Sequence, residues 1–268
     1  MGTVIPLNID IGGIRIAIGG LDRVVSAAAA AHFQPFLSAA PAQLTVEVEL
    51  LASDQHAPEP APRVERRAAQ QYAVAYGELS AELDLAAGVG TARLPSSVRA
   101  IDSLLRIAVS LLAVERHALL VHASGVRLRD KTLVCFGPSG VGKTTVARSV
   151  PPGGVLSDEC VLLTSDGSGA AYAHGTPFCG ELTSCAPLAG EVVALLRLQH
   201  ASSDSLTPLS EAAAARALLS STIFFCQDPG LVDQLLSTAL AIGRGRTYQL
   251  GFRRETHVPT FVESMFFS

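Results

Sequence analysis

Gly137-Pro138-Ser139-Gly140-Val141-Gly142-Lys143-Thr144-Thr145 fits the pattern G-x-x-x-x-G-K-[ST], and the fold is read outward from it. Thr132-Leu133-Val134-Cys135-Phe136 before it is apolar and β-branched, the signature of a buried strand. Thr145-Val146-Ala147-Arg148 after it can begin a helix. Strand, glycine loop and helix in that order are the elements of a phosphate-binding loop. The glycines let the backbone turn tightly with its N–H groups aimed inward at an anion, and the helix start adds a partial positive charge. In such a loop Lys143 reaches the β- and γ-phosphates and the Thr144 hydroxyl ligates Mg²⁺. The plain alternative is a glycine-rich turn that matches by chance. Against it stand the flanks and the lysine usage: Lys131 and Lys143 are the two lysines among 20 basic residues. Where a positive charge is merely needed the chain uses Arg, whereas here it places the compact ammonium that suits a phosphate cradle.

A chain of 268 residues can hold one large α/β domain, or a catalytic core with a smaller module. With 49% hydrophobic and 16% charged residues, a substantial core is expected and disorder is not. A net charge of −4 without basic runs argues against nucleic acid as a partner. Five scattered cysteines (Cys135, Cys160, Cys179, Cys185, Cys226), without C-x-x-C spacing, read as reduced thiols of a cytoplasmic protein rather than disulfides or a zinc site. The first residues show no secretory signal, and Pro6 stands against a myristoylation motif at Gly2. No apolar run is long enough to span a membrane, so no membrane association is expected.

Residues 4–18 alternate around Gly12-Gly13 as a hairpin, and 21–40 read as an alanine-rich helix. Leu44–Leu51 alternates as a half-buried strand, and 53–68, with Pro58, Pro60 and Pro62, reads as a loop. Strands near 70–76 and 79–86 and a turn at Gly88–Gly90 complete a β-rich N-terminal lobe over 1–95. Residues 96–268 form the second domain. It opens with a helix, capped by Ser96 or Ser97, whose apolar stripe runs through Ile101, Leu105, Ala108 and Leu112. Strands are expected at 118–122, 124–129, 155–157, 160–164, 171–174, 191–198 and 247–252, and helices at 210–220, 229–241 and 260–267.

Asp158 and Glu159 close a strand that returns directly after one short helix, fifteen residues beyond Lys143. In ATPase motors the acidic strand lies much further downstream. Near bound phosphates, one of two adjacent carboxylates can hold Mg²⁺ while the other takes a proton from an attacking hydroxyl. The alternative is a solvated acidic pair. His122, at the end of Leu119-Leu120-Val121, can touch a γ-phosphate or orient an acid, or is a satisfied core histidine. Arg244, Arg246, Arg253 and Arg254 either approach phosphate or are scattered surface charges, and Cys179 and Cys185 read as packing residues.

Taken together, His122-Ala123-Ser124-Gly125, the loop Gly137–Thr145 and Leu156-Ser157-Asp158-Glu159 resemble the C-terminal domain of HPr serine kinase/phosphorylase and its shorter relatives, which include kinases encoded beside lasso-peptide genes. Gly175-Thr176-Pro177-Phe178-Cys179-Gly180-Glu181 and Ala186-Pro187-Leu188 also fit the relatives' pattern. The resemblance covers roughly 115–225. It implies an α/β fold with a phosphate loop in a mixed sheet, of the type shared with phosphoenolpyruvate carboxykinase. By the resemblance Gly137, Pro138, Ser139, Gly140, Val141, Gly142, Lys143, Thr144 and Thr145 hold the nucleotide, and Thr144 and Glu159 the metal. Asp158 becomes the base, His122 supports the phosphates or that base, and Glu181 is a further acidic contact. Glu159 departs from the second Asp usual in the family, which puts the metal geometry in question. The signature by which the bifunctional enzymes bind HPr is not evident, so little phosphorolysis is implied.

The resulting expectation is an ATP- and Mg²⁺-dependent kinase acting on a serine-type hydroxyl of a peptide or protein. Its rivals are a small-molecule kinase on the same scaffold and an ATP-sensing accessory module without transfer. Family members often form rings, which implies a homo-oligomer, although no interface is readable in the sequence.

Overall fold

Alternating apolar residues build the first sheet. The computed structural model describes residues 6–52, 61–182 and 185–267. The hairpin around Gly12-Gly13 is β1 (Leu7–Ile11) paired antiparallel with β2 (Ile14–Gly19). Helix α1 (Arg23–His32) starts at Asp22, whose carboxylate accepts the N–H groups of Val24 and Val25. It stops well short of residue 40. Pro35 lacks the N–H to continue the ladder, and a 3₁₀ turn at Gln34–Phe36 takes over. The alternation at Leu44–Leu51 is a strand, β3, as expected, and it runs parallel to β2.

The expected loop at 53–68 is corrected in part. Residues 53–60 lie outside the described residues, and β4 (Arg63–Ala68) is a strand at the sheet edge. Its Arg63, Glu65, Arg66 and Arg67 are the charges that protect an edge from further pairing, and they mask the strand signal. β5 (Gln71–Tyr76) and β6 (Leu79–Asp84) follow antiparallel. The turn at Gly88 feeds a strand the sequence reading missed, β7 (Val89–Pro95), which lies between β3 and β6. The seven-stranded mixed sheet has the order β1-β2-β3-β7-β6-β5-β4.

Helix α2 (Val98–Glu115) begins where Ser97 Oγ accepts the Ala100 N–H at 3.2 Å, and Ile101, Leu105, Ala108 and Leu112 are buried. The chain divides into two compact units, one of residues 1–112 with 224–232 and one of 113–223 with 233–268.

In the second unit the two strands expected at 118–122 and 124–129 are one, β8 (Leu119–Leu128), followed by β9 (Lys131–Phe136), helix α3 (Lys143–Arg148), β10 (Val155–Ser157), β11 (Cys160–Ser165), β12 (Ala171–Gly175) and β13 (Ala189–His200). Then come β14 (Ser205–Pro208), which was not anticipated, α4 (Glu211–Leu219), α5 (Pro229–Gly243), β15 (Thr247–Phe252) and α6 (Val258–Phe266). The first half of β8 pairs with β11 and the second half with β9. β9 then pairs with β13, β13 with β12, and β12 with β11, so the pairings close a circuit. β13 is parallel to β9 and β15, and the other neighbours are antiparallel. Both sheets are therefore mixed, and the architecture is α/β. The core beside the circuit gathers Leu133, Cys135, Val146, Leu196, Leu250 and Val262. Among the described residues no helix is long and apolar enough to cross a membrane.

Candidate functional site

The strand β9 ends in the fully buried Phe136, and the chain then turns through Gly137, Gly140 and Gly142, all with positive φ. Gly142 caps α3 at φ 109°, a region in which a side chain is strained. Val141 anchors the turn by packing into the core, while Lys143, 7% exposed, folds back over it. The Lys143 ammonium donates to the carbonyls of Gly137 (3.0 Å) and Pro138 (3.2 Å). Burial pushes its pKa down, against the opposing pull of Glu159 and Cys160.

The acidic pair sits in the turn between β10 and β11. Ser157 Oγ accepts the N–H groups of Glu159 and Cys160, both at 3.1 Å, and donates to Phe178 O. This closes the turn and sends Asp158 and Glu159 to different surroundings. Asp158 is 1% exposed, and its carboxylate accepts three backbone N–H groups. Gly180 donates to Oδ1 at 2.9 Å, and Glu181 and Leu182 donate to Oδ2 at 2.9 and 3.1 Å. The incoming segment is held close as well: a Cβ on Gly175 would lie 1.9 Å from Ala186 O, so only glycine fits there. Glu159 is half-buried, and its Oε1 lies 3.5 Å from His122 Nδ1. His122 is held by its own N–H to Ser221 O and stands directly across the ladder from Cys160.

These residues share a cleft of about 280 Å³. Ser139, Gly140, Gly142, Lys143, Thr144 and Thr145 form one side, with His122, Arg148, Asp158, Glu159, Gly180 and Glu181 around them. Arg148 and Glu181 form an exposed ion pair at its rim. Every residue singled out for catalysis or metal binding in the sequence thus lines one cavity. Thr144 Oγ1 and the Glu159 carboxylate supply hard oxygen donors of the kind Mg²⁺ takes.

A second cavity of about 440 Å³ lies along the same loop and shares Gly140, Gly142 and Thr145 with the first. Its other walls include Val146, Ser149, His200, Phe252, Arg254, Thr256 and His257. The rings of His200 and Phe252 lie against each other, tilted by 42° with centroids 5.0 Å apart. Asp204 holds this wall in shape by accepting from the Arg253 N–H (3.0 Å), the Arg253 guanidinium (3.0 Å) and Thr256 Oγ1 (2.7 Å). The Arg253 contact, chiefly, holds the Asp204 carboxyl well below the usual carboxylate range. Sequence reading missed His200, Asp204, Phe252 and His257, because no local pattern ties residues more than fifty positions beyond the loop to it. Of the late arginines, Arg254 reaches this cavity. Arg244 pairs with Glu211, and Arg246 donates to Ile242 O and Gly169 O.

The expectation of five reduced thiols is corrected at one pair: Cys179 and Cys185 are joined as a disulfide, their Cα atoms 6.0 Å apart. They bracket the segment whose amides hold Asp158. Cys135, Cys160 and Cys226 are free of disulfides and buried.

No curated protein matches the chain. Among solved structures, the Hpr(Ser) kinase/phosphatase from Coxiella burnetii is similar over 55% of this chain and 92% of that one, at 9% identity and a TM-score of 0.30. Residues 96–239, more than half of the sequence, match the family model described as the SynChlorMet cassette protein ScmC, and the chain belongs to that family.

Proposed function

We propose that the protein is an ATP- and Mg²⁺-dependent phosphotransferase of the HPr-kinase-like kind, transferring the γ-phosphoryl group to a serine-type hydroxyl of a peptide or protein. One observation carries this reading: the Gly137–Thr145 loop, with Lys143, and the Asp158-Glu159 turn converge on a single cleft although β9 and β10, which lead into them, pair with β8 and not with each other. In this reading 96–268 is the catalytic domain and 1–95 a separate β-rich lobe.

The loop amides and Lys143 receive the β- and γ-phosphates, with the ammonium exchanging its two carbonyl acceptors for phosphate oxygens. The larger cavity takes the nucleoside. Its volume lies in the range of small-molecule sites, and the rings of Phe252 and His200 are part of its lining. Thr144 and Glu159 would hold Mg²⁺, which would supply neutralisation of charge on the transferring group. Asp158 is the base. Its Oδ1 accepts one amide where Oδ2 accepts two, so Oδ1 retains the lone-pair capacity to take the hydroxyl proton. His122 orients Glu159. Catalysis is then positioning and charge neutralisation.

The same carboxylate favours a second reading. An aspartate engaged by three amides suits a structural clamp, as in a nucleotide-sensing module without transfer. Incubation with labelled ATP and serine-containing peptides, with free hydroxy compounds alongside, separates the readings. Label on a peptide supports the kinase and label on a small molecule redirects the acceptor class. Nucleotide binding with no label transferred overturns the phosphotransferase. Lys143→Ala is expected to lower nucleotide affinity at least tenfold, and unchanged affinity would remove the loop from the reading.

A further inference from the structure

We propose that His122, Glu159 and Cys160 form a site for a thiophilic divalent cation, Zn²⁺ being the best match, in the wall of the cleft beside Lys143. The register of β8 and β11 sets Cys160 directly opposite His122, so both side chains leave the same face of the ladder. Glu159 lies in the turn just before β11 and is not bound by strand alternation, so its carboxylate reaches the same point, 3.5 Å from the imidazole. One donor atom from each residue falls within 4.8 Å of the other two. Around a tetrahedral Zn²⁺ with bonds of about 2.0–2.3 Å, donors stand roughly 3.5 Å apart. The His122–Glu159 pair already has that separation, and a side-chain movement of about 1 Å brings the thiol in.

The chemistry of the set is selective. A nitrogen, a carboxylate oxygen and a sulfur suit Zn²⁺ and not Mg²⁺, which takes oxygen ligands. Three protein ligands leave a fourth position, and it faces the cleft, because His122 and Glu159 are each about one-third exposed while Cys160 is buried. The thiol gives up its proton to solvent when the cation binds. The site stands on these three residues alone and does not require the phosphotransferase reading. If that reading also holds, Glu159 serves both sites, and the thiophilic ion competes with Mg²⁺ and ATP.

The test is titration of the full-length, metal-stripped protein with Co²⁺, followed by its absorption and by displacement with Zn²⁺. One equivalent with a thiolate-to-cobalt charge-transfer band, reversed by Zn²⁺, is expected. Cys160→Ala should abolish that band. His122→Ala and Glu159→Gln, at partly open positions where folding is little affected, should each weaken Co²⁺ binding at least tenfold, and Cys226→Ala should leave it unchanged. Absence of the band in the parent protein, or its survival in Cys160→Ala, overturns the site. A second arm adds ATP with Mg²⁺ to the Co²⁺-loaded protein. Release of Co²⁺ supports the shared Glu159. Retention counts against Glu159 as the nucleotide's metal ligand and not against the thiophilic site.

Discussion

Replacing Asp158 with Asn preserves the shape of the side chain and changes what three backbone amides find in front of them. With its oxygen at the Oδ2 position, Asn keeps the Glu181 and Leu182 bonds in neutral form and turns an NH₂ group toward the Gly180 N–H. With the amide flipped it keeps one bond and opposes two donors. A hydrogen bond to a charged group contributes about 1.5–3 kcal/mol and a neutral one about 1 kcal/mol. The favourable orientation therefore loses one charged bond and weakens two, a gross loss of about 2.5–7 kcal/mol. Gly180 and Glu181 are exposed and recover part of this by bonding to water, which brings the expected destabilisation to about 2–3 kcal/mol. That is a sizeable share of a stability of about 5–15 kcal/mol. The chain has no Trp, so urea unfolding is best followed by far-UV circular dichroism, with amide exchange reporting on 180–182. A midpoint shift of that size, with faster exchange confined to this segment, is expected. A change below about 0.5 kcal/mol with unaltered exchange would refute the clamp. Phosphate transfer is expected to be lost in either case, so the stability measurement is what distinguishes a clamp from a base alone.

Asp204 gives a pH dependence. Its carboxyl is held below the usual range by Arg253, so its contribution is fully present above the unfolded value of about 4 and is lost as pH falls through the lower folded value. Acid unfolding midpoints should therefore drop below about pH 4 less steeply in Asp204→Asn than in the parent protein. Thiol titration of the denatured protein should count three groups without reductant and all five cysteines with it, whereas five in both cases removes the Cys179–Cys185 bridge. Burial pushes the Cys135 thiol up to about 12, so mass spectrometry after alkylation of the native protein should find it unmodified. Gly142→Ala, at φ 109°, should cost about 1–2 kcal/mol in urea unfolding, and a neutral result would show that the loop relaxes to a different path.

The parts legible in the sequence are those whose signal is local. Strands β3 and β15 have the bounds their sequences predict, since alternation and flanking turns lie within each segment. The glycine loop announced itself because its spacing is fixed by its own backbone. Strands β4 and β14 were hidden for a physical reason: both lie at sheet edges, where polar residues and Pro208 replace the apolar alternation. For the site, the sequence named the residues of the smaller cleft but not how Asp158 is held, because its partners are main-chain groups that carry no residue code. The wall built by Asp204 was out of reach for another reason, since strand pairing and not spacing brings 200–204 and 252–257 beside the loop.

The closed circuit of strands sets a condition on synthesis. His122 comes from its first strand, Lys143 follows the second, and Glu159 precedes the next of its members, while β13, ending at His200, supplies the pairing that shuts it. Ring closure of this kind depends on contacts distant in sequence, which form slowly. A nascent chain of about 180 residues thus holds the groups of the smaller cleft before β13, the strand that shuts the circuit, has been made.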